Sequence, residues 1–444
     1  MRRLQSPPRE RWREAVESQG LVFPVTDLED GSVVPYWYES AHYSLTMAEV
    51  DALEDTTAEL HAMCLAAAEH VVARDRFADL GITDPAVVRA IRESWSAQPP
   101  SLYSRFDLRY DGDDGRTAKL LEYNADTPTM LLESAICQWY WLQDTRPDLD
   151  QWNSLHERLV DAWQKTRVRL SHGPVHFVYA ECDESGEDYM TSSYVAETAQ
   201  QAGLTPVVLP VEKIGWHAAS GWFVDLEQTR IRTVFKLYPW EWLVAEDFGP
   251  LALAAADRTQ WIEPIWKMLL SNKALLAILW ELYPGHPNLL PAYLDGPRGM
   301  RDYVAKPLLG REGASIRIVT GGEEFEQPGH YGREGYVYQE FSPLPEFSGS
   351  DGGGRAVLGS WLVDGEPAGL GIRELGRAGD GHLRAVRAAR HRRLAAASRT
   401  VTGTNARDQR QWRAWPSRRS SSGSSPCRVR TPPVSCTASR TTSS

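Results

Sequence analysis

No run of about twenty apolar residues occurs in this sequence, so no segment is long enough to cross a bilayer as a helix. The opening stretch, MRRLQSPPRERWREAVESQG, is charged throughout and lacks the apolar core of a secretory signal. Cysteine is scarce: 444 residues hold five, Cys64, Cys137, Cys182, Cys427 and Cys436, with no CxxC pair. That argues against a disulfide framework or a zinc site and fits a reducing cytoplasm. GxxxxGK[ST] is absent, and no GxGxxG follows a strand, so the two common phosphate-binding loops are excluded. No internal repeat is present.

What is present is a divided charge. Residues 375–444 carry fifteen Arg, two acids (Asp380 and Asp408) and no Lys, a net +13, whereas residues 1–374 carry −24. An acidic body is a poor partner for nucleic acid and attracts cationic substrates; simple solubility explains it equally well. The tail is rich in Arg, Ser, Ala, Thr and Pro and is expected to be disordered, because it cannot bury enough surface to offset chain entropy. An RNA-binding arm is one reading of it. A GC-rich frame translated out of register gives the same composition. The expectation is therefore that the natural sequence ends near Glu374, which resequencing of the coding DNA tests.

Along the chain, residues 1–45 read as a lead-in. Thr46 and Glu49 form a capping-box pattern ahead of a helix, with Val50, Leu53, Thr57, Leu60, Cys64 and Val71 at helical spacing. Residues 102–123 predict a β-hairpin around DGDDG (111–115). Helices are predicted from about Thr129 and over 151–170. HFVYA (176–180), a helix over 188–202 and TPVVLP (205–210) predict a strand–helix–strand unit. SNKALLAILWEL (271–282) predicts another helix. YVAKPL, SIRIVT, YVYQEF and RAVLGSWLV predict short strands separated by glycine-rich loops. The pattern is α+β.

The hairpin carries the chemistry. Arg105 and Asp107 are two apart on its first strand, and Glu122 and Asn124 are two apart on its second. A register that sets Asp107 against Glu122 or Leu120 would gather all four. Two carboxylates and an amide oxygen suit Mg²⁺, and an adjacent guanidinium suits a carboxylate or phosphate. A strand face merely turned to water is the plain alternative. Lys273 is expected to open the 271–282 helix, the wrong end for a cation unless an anion binds there. Lys306 leads into LGREGAS, where Gly310–Gly313 and Arg311 could fold over phosphates. Gln339 and Glu340 could reach an adenine or ribose, or belong to an ordinary edge strand.

SRFDLRYDGDDGRTAKLLEYNADTPT, SNKALLAILWELYPGHPNLLPAYLD, YVAKPLLGREGASI, VYQEF and GSWLVDGEPAGLGIRE together resemble the synthetase domain of the glutathionylspermidine synthase family. The likeness is greatest to its short bacterial acid–amine ligases, which lack the amidase half. It covers residues from about 20 to Glu374 and implies one ligase domain over 46–374. The implied fold is an atypical, permuted-order ATP-grasp with a pre-ATP-grasp-like α/β subdomain. Carried over, Arg105, Phe106 and Asp107 contact ATP, and Asp107, Glu122 and Asn124 bind Mg²⁺. Lys273, Lys306, Gly313, Gln339, Ile372, Arg373 and Glu374 match further ATP positions. Glu187 and Asp188 match, less closely, carboxylates that face the amine.

The implied reaction joins a carboxylic acid, for which a peptide such as glutathione is a candidate, to an amine such as a polyamine. An acyl phosphate is the intermediate, and Arg105 stabilises the carboxylate or the developing phosphate charge. The location implied is cytoplasmic, with no membrane and no nucleic acid as partner. The tail replaces the family's closing segment, so the alternative is a catalytically impaired nucleotide-binding ATP-grasp protein. A simple kinase is a further alternative.

Overall fold

Three sheets of four or more strands organise the computed structural model, which describes residues 1–27, 33–112, 117–181, 185–349, 353–375 and, as backbone, 392–399. The largest runs in the order Arg2–Gln5, Trp37–Leu45, Arg392–Arg399, Glu366–Leu375, Gly354–Val363, Tyr103–Arg109 and Lys119–Asn124. The helix Met47–Arg74 covers one of its faces. Thr46 starts that helix: its side chain accepts from the Glu49 N–H, and the Glu49 carboxylate accepts from the Thr46 N–H, as expected. Asp75, at φ 57°, ends it in the left-handed region. All six residues expected on the inner face are buried, joined by Met63, Ala67 and Ala68.

Thr57 Oγ1 lies 2.7 Å from Ser360 Oγ, and Ser360 pairs with Phe106. The long helix therefore sits on the Phe106 side of the sheet. Arg105 and Asp107, one residue to either side, turn the other way. This alternation positions the candidate site.

The second sheet is parallel, in the order Gln260–Ile262, Thr233–Leu237, Val175–Tyr179 and Pro206–Pro210. Glu187–Gln201 is the crossover helix of the predicted strand–helix–strand unit. Every residue of Thr233–Leu237 is buried, as a central strand covered on both faces requires. The third sheet is antiparallel: Ala292–Tyr293, Tyr336–Glu340, Tyr303–Pro307, Arg317–Thr320 and Glu323–Glu326. Its last strand falls where a loop was expected, and its three Glu suit a solvated sheet edge. No described helix is long and apolar enough to cross a membrane.

Two further expectations change. The helix predicted over 271–282 is two, Met268–Ser271 and Leu275–Leu282, with Asn272 extended between them (φ −72°, ψ 130°). Asn272 Oδ1 accepts from the Ala274 N–H at 2.9 Å, and this local bond competes with helix continuation. Lys273 thus stands in a corner and does not open a helix. The second change concerns the tail. Disorder was expected throughout 375–444, yet Arg392–Arg399 is a strand, antiparallel to Glu366–Leu375 and parallel to Trp37–Leu45. It supplies partners to two strand edges that would otherwise face no neighbour. The remainder of the tail beyond Leu375, residues 113–116 of the hairpin turn and Cys182 lie outside the described residues.

Candidate functional site

The hairpin pairs Arg105 with Asn124 and Asp107 with Glu122, then shifts by one residue so that Leu108 faces Leu120. The four polar side chains share the face away from the long helix. On that face Asp107 lies opposite Gly359, and Gly359 opposite Gly371. Side chains there would collide with the site: a Cβ on Gly359 would come within 3.0 Å of Arg105 Cδ, and one on Gly371 within 2.3 Å of Ser134 Oγ. In the cleared space Arg105 Nε donates to Asp107 Oδ1 at 2.9 Å, and Arg373 donates to Asp107 Oδ2. Arg105 also donates to the Thr129 carbonyl at 2.6 Å and lies over the Trp361 ring at 5.4 Å. Asp107, Arg105 and Arg373 are all buried.

Two lysines meet the hairpin, Lys306 from the five-stranded sheet and Lys273 from the corner between Met268–Ser271 and Leu275–Leu282. Lys273 Nζ is 3.1 Å from Glu122 and donates to the Gly310 carbonyl at 2.7 Å. Lys306 Nζ donates to Gln339 Oε1 at 2.7 Å and to the Leu121 carbonyl at 2.8 Å, while Gln339 Nε2 donates to the Leu120 carbonyl at 3.0 Å. Burial would raise the Glu122 pKa, but Lys273 and Lys306 outweigh it and hold the carboxyl well below the usual range. Burial lowers Lys306 to about 8, against the pull of Glu122.

Among the described residues no three His, Cys, Asp or Glu side chains gather as a metal cluster. A divalent cation here would therefore rest on Asp107, Glu122 and the amide oxygen of Asn124, whose Nδ2 is 3.3 Å from Glu122 Oε1. Glu122 is half-buried and held anionic, and a cation there would take the place of Lys273 and Asn124 Nδ2 on its oxygens. That donor set fits Mg²⁺, whose other positions go to water and phosphate.

The structure does not gather every residue singled out from sequence. Phe106 points into the core and stacks on Tyr123 at 3.9 Å. Ile372 is fully buried, and Glu374, on the side opposite Arg373, binds Arg3 Nε at 2.5 Å and the Tyr43 hydroxyl at 2.7 Å. At these three only the backbone could face a nucleotide. Glu340 lines instead a cavity of about 430 Å³ with Tyr293, Arg301 and Asp302. Gly313 is at φ +75°, a turn conformation that favours glycine. Two residues earlier, Arg311 donates to Thr127 Oγ1 at 2.7 Å and lies 3.7 Å from Glu241, which ties the glycine loop to the hairpin's exit.

On the other side of Arg105 stand acids. Glu187 and Asp188 occupy the first turn of the crossover helix. Glu133, which the sequence reading missed, sits in a π-helical turn, Glu133–Cys137, a feature frequent at functional sites. It is 1% exposed; Oε1 accepts from the Tyr36 hydroxyl at 2.9 Å, and Oε2 is buried without a partner. Burial raises its pKa to about 8, Glu187 adds to the rise, and Tyr36 and Arg105 oppose it. A lone acid inside the apolar run MLLESAIC is the signal that could have found it.

The family model described as glutathionylspermidine synthase preATP-grasp matches residues 3–378. Haemophilus influenzae has a protein named "Putative acid--amine ligase" that is 42% identical over 357 residues, 78% of this chain and 88% of that protein. The trypanothione synthetase of Crithidia fasciculata is 28% identical over 313 residues, covering 64% of this chain. The bifunctional glutathionylspermidine synthetase/amidase of Escherichia coli is 26% identical over 344 residues, covering 71% of this chain. These matches span only 46% and 53% of those two longer proteins. Among solved structures, a glutathione synthetase-like effector from Globodera pallida superposes with a TM-score of 0.51 at 8% identity, over 88% of this chain and 98% of that one. That likeness speaks to the mixed α+β fold alone. With nearly all of its described residues inside the family match, this chain belongs to the glutathionylspermidine synthase preATP-grasp family.

Proposed function

We propose that this protein is an ATP-dependent ligase that joins a carboxylic acid to an amine, on an ATP-grasp fold whose metal-binding hairpin precedes its glycine lid in the chain. The observation that carries the reading is the register of the hairpin: Asp107 against Glu122 and Arg105 against Asn124, with Lys273 paired to Glu122, Arg373 to Asp107, and Lys306 bonded to the Leu121 carbonyl beside them. Asp107, Glu122 and Asn124 would hold Mg²⁺, which when bound offsets phosphate charge and orients the transferring group. Lys306, Gln339 and Lys273 would face the nucleotide, with the Gly310–Gly313 loop folding over its phosphates.

In the first step an oxygen of the acid attacks the γ-phosphorus of ATP; an acyl phosphate forms and ADP leaves. Arg105 and Arg373 offset charge on the carboxylate or on the developing phosphoryl oxygens. In the second step the amine nitrogen attacks the acyl carbon, phosphate leaves, and an amide remains. Glu187 and Asp188, in the first turn of the crossover helix, give the amine an anionic approach. An ammonium must lose a proton before it can attack, and Glu133, whose pKa burial raises to about 8, can accept it in its ionised fraction, which grows as pH rises toward that value. The names of the relatives point to glutathione-type acids and polyamine-type amines as the first substrates to try.

The test is an ADP-release screen over pairs of carboxylic acids and amines, with Mg²⁺. A pair whose two members are both required for turnover is the expected outcome; turnover needing only one acceptor, which emerges phosphorylated, would indicate a kinase. One observation favours a second reading, a nucleotide binder without ligase activity: Asp107 is already gripped on both oxygens by guanidiniums, which compete with a cation. ATP binding without acid- and amine-dependent ADP release would establish that reading.

A further inference from the structure

The hairpin's exit turn, residues 125–129, is held from four directions. Ser271 Oγ accepts from the Ala125 N–H at 3.0 Å and from the Asp126 N–H at 2.8 Å. Arg311 reaches Thr127, and Arg105 reaches the Thr129 carbonyl. The fourth hold comes from the parallel sheet. Lys236, fully buried on the central strand Thr233–Leu237, places Nζ 2.5 Å from Asp126 Oδ1. Its ammonium also donates to the Tyr238 carbonyl at 2.9 Å and stands 5.0 Å from the Trp240 ring, while the Trp240 N–H donates to Asp126 Oδ2 at 2.9 Å.

We infer that Lys236 is a positioning residue: through Asp126 it fixes the exit turn, and so sets where Asn124 presents its amide to a metal and where Thr127 receives the glycine loop. The inference rests on the Mg²⁺ and ATP reading above. Stability is a poor explanation of the pair. A buried ion pair gains little over apolar side chains of similar volume, because desolvating both charges offsets their attraction. Apart from Thr233 at its start, the rest of that strand is the apolar Val234, Phe235 and Leu237, so Leu or Met would suit position 236 as well if filling space were its only task. Burial also works against the charge, lowering the Lys236 pKa, with Asp126 opposing. What an apolar side chain cannot do is hold a carboxylate at one point between two sheets. Asn124 lies two residues from that point and Thr127 one.

The experiment is calorimetric titration of ATP into the full-length protein across a series of Mg²⁺ concentrations. Wild type should bind ATP in a Mg²⁺-dependent way, and Asp107→Ala should lose that dependence. The double variant Lys236→Met/Asp126→Asn leaves no unpaired charge, and its Asn oxygen still accepts from the Trp240 N–H. It should melt near wild type but need about tenfold more Mg²⁺ for half-saturation, as displaced ligands do. Ser271→Ala releases the same turn from its other side and should shift the Mg²⁺ requirement about threefold; it carries the test should the double variant not fold. A Mg²⁺-dependent wild type beside a folded variant with an unchanged Mg²⁺ requirement overturns the inference alone. A wild type whose ATP affinity ignores Mg²⁺ overturns the metal reading and the inference with it.

Discussion

The two sides of Arg105 are charged differently. Toward the five-stranded sheet, acids and cations alternate: Asp107 lies between Arg105 and Arg373, and Glu122 contacts Lys273. Toward the crossover helix, Glu133 is pushed up by burial and by Glu187, and Arg105 only partly offsets this. The contrast teaches what each side tolerates. A balanced set can exchange internal ion pairs for a phosphate and its counter-ion without stranding a charge. A side whose buried acid is held protonated ionises more readily beside an incoming cation. That difference, more than either cluster alone, favours a site that takes ATP from one direction and an amine from the other.

The comparison can be broken most directly at its centre. Asp107→Ala should lower acid- and amine-dependent ADP release by about a thousandfold or more; a full rate would leave the phosphate side without its key carboxylate. Lys306→Met should raise KM for ATP by roughly ten- to a hundredfold, the scale of one charge-assisted hydrogen bond, with KM for the amine unmoved. Glu133→Gln should do the reverse above about pH 8, where Glu133 is ionised, raising the amine KM by about tenfold and leaving that for ATP alone. A variant that moves both constants equally would mean the two sides are one.

Glu133 also gives the contrast a pH signature. Unfolded, its carboxyl titrates at the ordinary value of 4.5; folded, at about 8. Between those values the native state keeps a proton that the unfolded chain has lost, so this residue's contribution to stability falls as pH rises through the window. Denaturant unfolding of wild type at several pH values should slope downward there, and Glu133→Gln should flatten the slope. The smallest expected effect serves as a baseline: Thr46→Ala, away from both sides, should cost about 1 kcal/mol of stability and change neither KM.

Much of this arrangement was legible in the sequence, and particular residues show why. Period-two spacing placed Arg105 with Asp107 and Glu122 with Asn124, and the observed register, Asp107 to Glu122, is one of the two anticipated. Helical spacing found the buried face of Met47–Arg74. What escaped depends on the chain meeting itself. Glu133 is meaningful because a π-turn aims it beside Arg105 and Glu187, and periodicity carries no such information. The break at Asn272 turns on one side-chain bond to Ala274, too local for an apolar pattern to reveal. Alternation along the strands also decides what each residue could offer: Phe106, Ile372 and Glu374 turn their side chains away from Arg105 and Asp107, which leaves their backbone as what could meet a nucleotide.

The strand Arg392–Arg399 has a consequence for how the molecule is made. It lies between Trp37–Leu45 and Glu366–Leu375 and pairs Leu394 with Trp37, roughly 350 residues earlier. On a ribosome, the early strand must wait with one edge bare until nearly the whole chain has emerged, and the late strand slots into a gap. Bare edges of that kind recruit other chains. Soluble yield should therefore respond more to translation speed and temperature than the stability of the finished fold would suggest.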